Sequence, residues 1–166
     1  MKKFIAISLW FQCLWVLAVV GNYDAQYITL SLAIFTLSLT KKTTSFPWIK
    51  FFFITTLGIL IDHVNIQLGI LDFQQSSLPI WLISLWLVFV WYAYFLYQKI
   101  QDYSFLLIST CGAVGGSMSY LGGEKLGAVS FSVDFNIAIM ALTVEWFLIV
   151  YVLLKVFSYE RKNVAS

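Results

Sequence analysis

The feature that most constrains this chain is a repeated one: long runs of apolar residues with almost no charge, divided by short polar joints. Six runs have this character, at 4–21, 26–40, 48–71, 79–98, 103–121 and 137–157, the second being the shortest. A helix needs about 20 apolar residues to cross roughly 30 Å of hydrocarbon. Of the 166 residues 61% are hydrophobic and 11% charged, less than half the charge usual in a soluble domain. The chain therefore reads as an all-α membrane protein, one polytopic domain over 1–166 built as a bundle of about six transmembrane helices.

The start, Met1-Lys-Lys before the apolar run from Phe4, imitates a secretory leader. A leader's apolar region is about 7–15 residues and ends in a small-x-small site. Here the run continues to Val20, and Tyr23-Asp-Ala25 has a bulky residue where a small one is needed. The segment reads as a retained first helix, and the short second run is expected either to be tilted less than its neighbours or to form a tight hairpin with the first through Asn22-Tyr-Asp-Ala-Gln26.

Pro47 and Pro79 suit first-turn positions, with Ser45 and Ser76-Ser77 before them, and Asp134 suits a cap for the last helix. The cations orient the bundle, because cytoplasmic loops are rich in Lys and Arg. With the N-terminus inside, Lys2, Lys3, Lys41, Lys42, Lys50, Lys99, Lys155, Arg161 and Lys162 share the cytoplasmic side, and only Lys125 lies opposite. Both termini are thus expected in the cytoplasm, with the loop from Asp72 to Leu78 and the segment from Gly122 to Asn136 outside. That segment is too polar to span and too apolar to be a free loop, so it is expected to lie along the surface or fold back as a lid.

Within this apolar background, Gly58-Ile-Leu-Ile-Asp62-His63-Val-Asn65-Ile-Gln67-Leu-Gly69 stands out. Gly58, Asp62, Asn65 and Gly69 recur at helical spacing, so they form one narrow face that must point at protein rather than lipid. His63 lies about 100° around from Asp62. In the fifth run, Gly112 with Gly116 and Gly115 with Ser119 are small-x-x-x-small pairs that let backbones approach closely. In the sixth, Ala138, Ala141 and Glu145 share a face.

At 1.5 Å per residue, Asp62 lies roughly 13 Å and Glu145 roughly 12 Å below the outer ends of their helices. Gly115, Gly116, Gln12 and Cys13 fall at a similar level. The expected candidate site is an outward-facing polar pocket made by Asp62, His63, Asn65, Glu145, Gly115 and Gly116. No Lys or Arg is predicted at that depth, which leaves His63 as the one possible cationic partner for either acid.

Other chemistries find little support. Cys13 and Cys111 sit far apart in apolar runs and are expected to be reduced, buried residues rather than a disulfide or metal pair. One histidine gives too few nitrogen ligands for a typical zinc site, and no metal or cofactor is expected. The net charge of +2 and scattered cations argue against a nucleic-acid surface. The aromatic residues of the fourth run, Trp81, Trp86, Trp91, Tyr92, Tyr94 and Tyr97, read as interfacial belts and packing.

Three stretches, Gly58-x-x-x-Asp62 with Gly69, Pro79-Ile-Trp81-Leu with Leu85-Trp86 and Phe89, and Gly112-Ala-x-Gly115-Gly116-x-x-Ser119-Tyr120-x-x-Gly123-x-x-Leu126-Gly127-Ala128, resemble a bacterial inner-membrane family, domain of unknown function 2878. The resemblance covers nearly the whole chain. The family's pattern carries a proline where Ser117 stands. The resemblance implies a small multi-pass bacterial inner-membrane protein and supplies no activity.

The favoured functional expectation is binding or transport of a lipid-like or small amphipathic ligand, with membrane lipids as partners. Two alternatives stay open. One is a lipid-modifying enzyme using Asp62, Glu145 and His63, although the absence of a catalytic serine, thiol or phosphate-loop motif leans against an enzyme; the other is a structural role beside another membrane protein or a second copy.

Overall fold

The computed structural model describes residues 2–75 and 77–164, with side chains to 158. Ser76 and the side chains of Arg161 and Lys162 lie outside the described residues. The described residues form five helices: α1 (Lys2–Thr43), α2 (Trp48–Gln67), α3 (Ile80–Ile100), α4 (Phe105–Lys125) and α5 (Phe135–Val164). Five are long and apolar enough to cross a membrane.

The sequence count was six because α1 contains the first two apolar runs. They are joined without a loop, through a break at Asn22, where φ is 45° and ψ −129°. Asparagine tolerates positive φ better than most residues. The break folds the helix back on itself. Trp10 Nε1 donates to Thr36 Oγ1 at 2.9 Å across 26 residues, a separation that would be about 39 Å along an unbroken helix. Leu14 and Ala33, one from each arm, pack together with Val88 of α3.

Helix boundaries follow local chemistry. Pro47 and Pro79 stand at the N-cap, immediately before α2 and α3, rather than inside the first turn as expected. Ser104 Oγ accepts from Leu107 N at the start of α4. Asp134 caps α5, its carboxylate accepting from Asn136 N at 2.9 Å. Gly69 and Gly127, with φ of 70° and 74°, end α2 and α4 in the left-handed turn that glycine adopts without penalty.

α3 is the centre of the bundle. Every other helix presents large apolar side chains to its surroundings, such as Leu9, Phe53, Met118 and Met140, whereas among the described residues α3 presents none. Both arms of α1 lie on it. Trp91 Nε1 donates to Thr40 Oγ1 at 2.8 Å, and Phe11 stacks on Tyr92 with ring centres 4.5 Å apart. α4 packs on α5 through glycine. A Cβ at Gly112 would meet Val150 at 2.7 Å, and one at Gly116 would meet Trp146 at 2.0 Å.

At the end away from the termini, two connections close the bundle. Asp72 and Ser130 form a single antiparallel pairing, with N–H to O distances of 2.8 and 2.9 Å. Leu71, Phe73, Ala128 and Val129 beside it are buried. α4 continues through Gly122 and Gly123 to Lys125, so the start of the segment expected as a lid is helix, while Ala128 and Val129 in its non-helical part fold inward. The opposite end gathers cations: Lys41 and Lys42 close the second arm of α1, Lys99 closes α3, and Lys155 Nζ lies 5.6 Å from the Phe105 ring at the start of α4.

Candidate functional site

The stripe on α2 faces the bundle as its spacing requires, with Gly58, Asp62 and Asn65 all buried. Asp62 is 2% exposed. Its Oδ2 accepts from Trp86 Nε1 of α3 at 2.6 Å, and its Oδ1 accepts from Tyr120 OH of α4 at 2.6 Å. Each carboxylate oxygen thus takes one donor, and three helices meet at one residue.

Glycine makes that geometry possible. A Cβ at Gly58 would sit 2.3 Å from Cζ3 of Trp86, so the indole reaches Asp62 only because the residue one turn earlier has no side chain. Trp86 then stacks on Trp146 of α5, with ring centres 5.4 Å apart and planes inclined by 7°. Gly116 admits Trp146 in the same way. Alongside this stack, Asn65 Nδ2 donates to Glu145 Oε2 at 2.7 Å.

The expected polar layer is therefore gathered in part. Asp62 and Gly116 sit against the Trp86–Trp146 stack, and Asn65 joins Glu145. The two acids are held by different partners, and among the described residues no cation pairs with either. His63 is exposed on the flank of α2 and does not join them. Trp86, Tyr120 and Trp146 are the contributors that sequence reasoning treated as packing or passed over. The signal for them was chemical: an acid buried without a cation needs N–H or O–H donors, and Trp and Tyr are the side chains that carry a donor on an apolar body.

Beside this knot lies a cavity of about 500 Å³, within the range of small-molecule sites. Its walls are the first arm of α1, α3, α4 and α5, and Phe73 and Val129 stand at the end away from the termini. Asp62, Asn65, Glu145 and His63 are not among its lining residues, and among the described residues no charged side chain is. Trp86 and Tyr120 line it, yet their polar atoms are bound to Asp62 behind the wall. Trp15 Nε1 donates to Ser119 Oγ at 2.8 Å, tying α1 to α4 across the cavity.

Gly116 and Gly115 both line the cavity. A Cβ at Gly115 would meet nothing within 4 Å. Gln12, Cys111 and Gly115 line the cavity and are also exposed, so it opens sideways between α1 and α4. Cys13 and Cys111 are free, and both are exposed rather than buried as expected. Their helices turn these positions outward, where an apolar residue meets hydrocarbon instead of core. Among the described residues no three His, Cys, Asp or Glu side chains cluster as metal ligands would.

Apolar helices with apolar outer faces, a buried hydrogen-bonded interior and a cavity open to the side define a multi-pass helical membrane protein. The chain belongs to the family described as Protein of unknown function (DUF2878), whose model matches residues 4–152. No curated protein and no solved structure matches it.

Proposed function

We propose that this protein binds the hydrocarbon part of a lipid-like ligand within the cavity between α1, α3, α4 and α5, in a bacterial inner membrane. The observation that carries the reading is the state of the lining. Its walls are mostly apolar, the polar atoms of Trp15, Ser119, Trp86 and Tyr120 are already paired within the protein, and the side opening faces the outer surface of the bundle, which hydrocarbon would surround. A ligand entering there meets mainly apolar faces, with Trp81 Nε1, buried and without a partner, as a donor left in the wall.

In this reading the two arms of α1 each cross the membrane, giving six passes. The cation-rich end, with both termini, faces the cytoplasm. Asp62, Asn65 and Glu145 act as interhelical ties, and Gly115 and Gly116 belong to the ligand site. The acids are engaged with internal donors behind the cavity wall, which favours binding or transport over lipid chemistry.

Lipid extraction and mass spectrometry of protein purified in mild detergent test the reading. Gly115→Leu fills the cavity from a position where a side chain has room, and Val114→Leu changes an exposed neighbour outside the lining. Wild type and Val114→Leu should retain a defined lipid, and Gly115→Leu should lose it. Equal retention by all three, or no defined lipid on the wild type, defeats the proposal.

A further inference from the structure

We infer that the ligand of this cavity carries a neutral carbonyl oxygen that accepts from Trp81 Nε1, with its apolar chain in the remaining space, an inference that rests on the lipid-binding reading above. Four indoles, those of Trp10, Trp15, Trp86 and Trp91, donate to acceptors within the protein. Trp81 differs. It lines the cavity and is 3% exposed, yet its Nε1 is buried without a partner. Phe73 packs on this indole with ring centres 5.8 Å apart and planes inclined by 69°, and an aromatic ring is at most a weak acceptor. A buried N–H left unpaired bears its full desolvation cost, so an acceptor brought by a ligand gains more here than at a donor already satisfied.

The surroundings restrict what that acceptor is. Val19, Phe73, Leu82 and Val129 line the same end of the cavity, and all four are buried and apolar. With no cation in the lining, a carboxylate or phosphate oxygen would be buried there unpaired. A hydroxyl also accepts, but it brings a proton for which these side chains hold no acceptor. The carbonyl of an ester or ketone accepts and brings none. Entry is by the side opening at Gly115, about 12 Å along α4 from Gly123, where a Cβ would meet Val129 at 3.3 Å. The ligand therefore enters carbonyl end first and its chain extends back past Gly115, the reverse of a lipid that keeps its polar group at the membrane surface.

The full-length protein in phospholipid nanodiscs, supplied separately with methyl palmitate, cetyl alcohol or heptadecane at equal mole fraction, tests this by native mass spectrometry. The ratio of methyl palmitate to heptadecane occupancy should fall about tenfold in Trp81→Phe, as expected for one buried hydrogen bond. Comparing ratios between proteins cancels the partition of each probe into the bilayer. The ratio for cetyl alcohol should fall less, and retained heptadecane shows that the variant keeps its cavity. If Trp81→Phe does not fold, the infrared carbonyl stretch of methyl palmitate on the wild-type protein decides, and it should lie below its position in heptadecane solution. An unchanged ratio, an equal fall for cetyl alcohol or an unshifted carbonyl overturns the carbonyl inference, and lipid binding stands if Gly115→Leu still abolishes occupancy. No Gly115-dependent occupancy by any probe or by phospholipid overturns both.

Discussion

Asp62 offers the sharpest test of the buried polar architecture, because its two hydrogen bonds respond differently to two substitutions. In Asp62→Asn the amide oxygen still accepts from Trp86 Nε1, which can only donate. The amide nitrogen then faces Tyr120, whose hydroxyl accepts as readily as it donates. Both ties survive, and stability should fall by no more than about 1 kcal/mol. Asp62→Ala removes both acceptors and leaves an indole N–H and a phenol O–H buried without partners. Each such orphan costs about 1–3 kcal/mol, reduced toward the lower end where membrane-embedded groups find other partners. A loss of about 2–4 kcal/mol is expected from the two together.

Reversible unfolding in mixed micelles, followed by tryptophan fluorescence, measures these losses. Tyr120→Phe placed in both backgrounds completes the comparison. It should cost about 1–2 kcal/mol in wild type, whereas in Asp62→Ala, where its acceptor is already gone, removing the orphaned hydroxyl should restore about 1 kcal/mol or more. If Asp62→Asn proves as damaging as Asp62→Ala, the carboxylate matters through its charge or proton, and the reasoning from paired donors is refuted.

Other consequences are equally direct. Gly116→Ala forces Cβ against Trp146 at 2.0 Å and should cost about 1–3 kcal/mol by overpacking, whereas Gly115→Ala, with open space around it, should be neutral or stabilising by up to about 1 kcal/mol in the same unfolding assay. Trp15→Phe removes the tie to Ser119 and should speed lipid exchange several-fold, read by stopped-flow transfer of a fluorescent lipid; an unchanged rate would show that the tie does not control entry. Single cysteines introduced at Ser130 and Lys42 should react with an impermeant thiol reagent from opposite faces of the membrane, and labelling of both from one face would contradict the six-pass arrangement.

The residues of the candidate site were legible to different degrees. The inward turn of Asp62 and Asn65 follows from helical periodicity alone, since polar groups on an apolar helix must face protein. The same periodicity explains His63: a residue adjacent to Asp62 is rotated about 100°, and with Asp62 buried that rotation carries the imidazole to the exposed flank. Depth placed Glu145 at the right level but said nothing of its partner, which proved to be Asn65. Gly115 and Gly116 were grouped as one feature, although adjacent positions diverge. One admits Trp146 against the backbone and the other opens on the cavity.

Hydropathy, glycine spacing and the distribution of lysines are local properties, and they determined the helical class, the apolar runs and the inward stripe of α2. In hydrocarbon a backbone must satisfy its own hydrogen bonds, so a long apolar run has little choice but helix. Which donors meet Asp62 was decided only by tertiary structure. Tyr120 lies 58 residues away, and its approach depends on how α2 and α4 are rotated about their axes and how the glycines let neighbours close in. The cavity has the same origin: it is the space left where α1 and α4 diverge around α3 and α5, a property of helix placement that no single segment encodes.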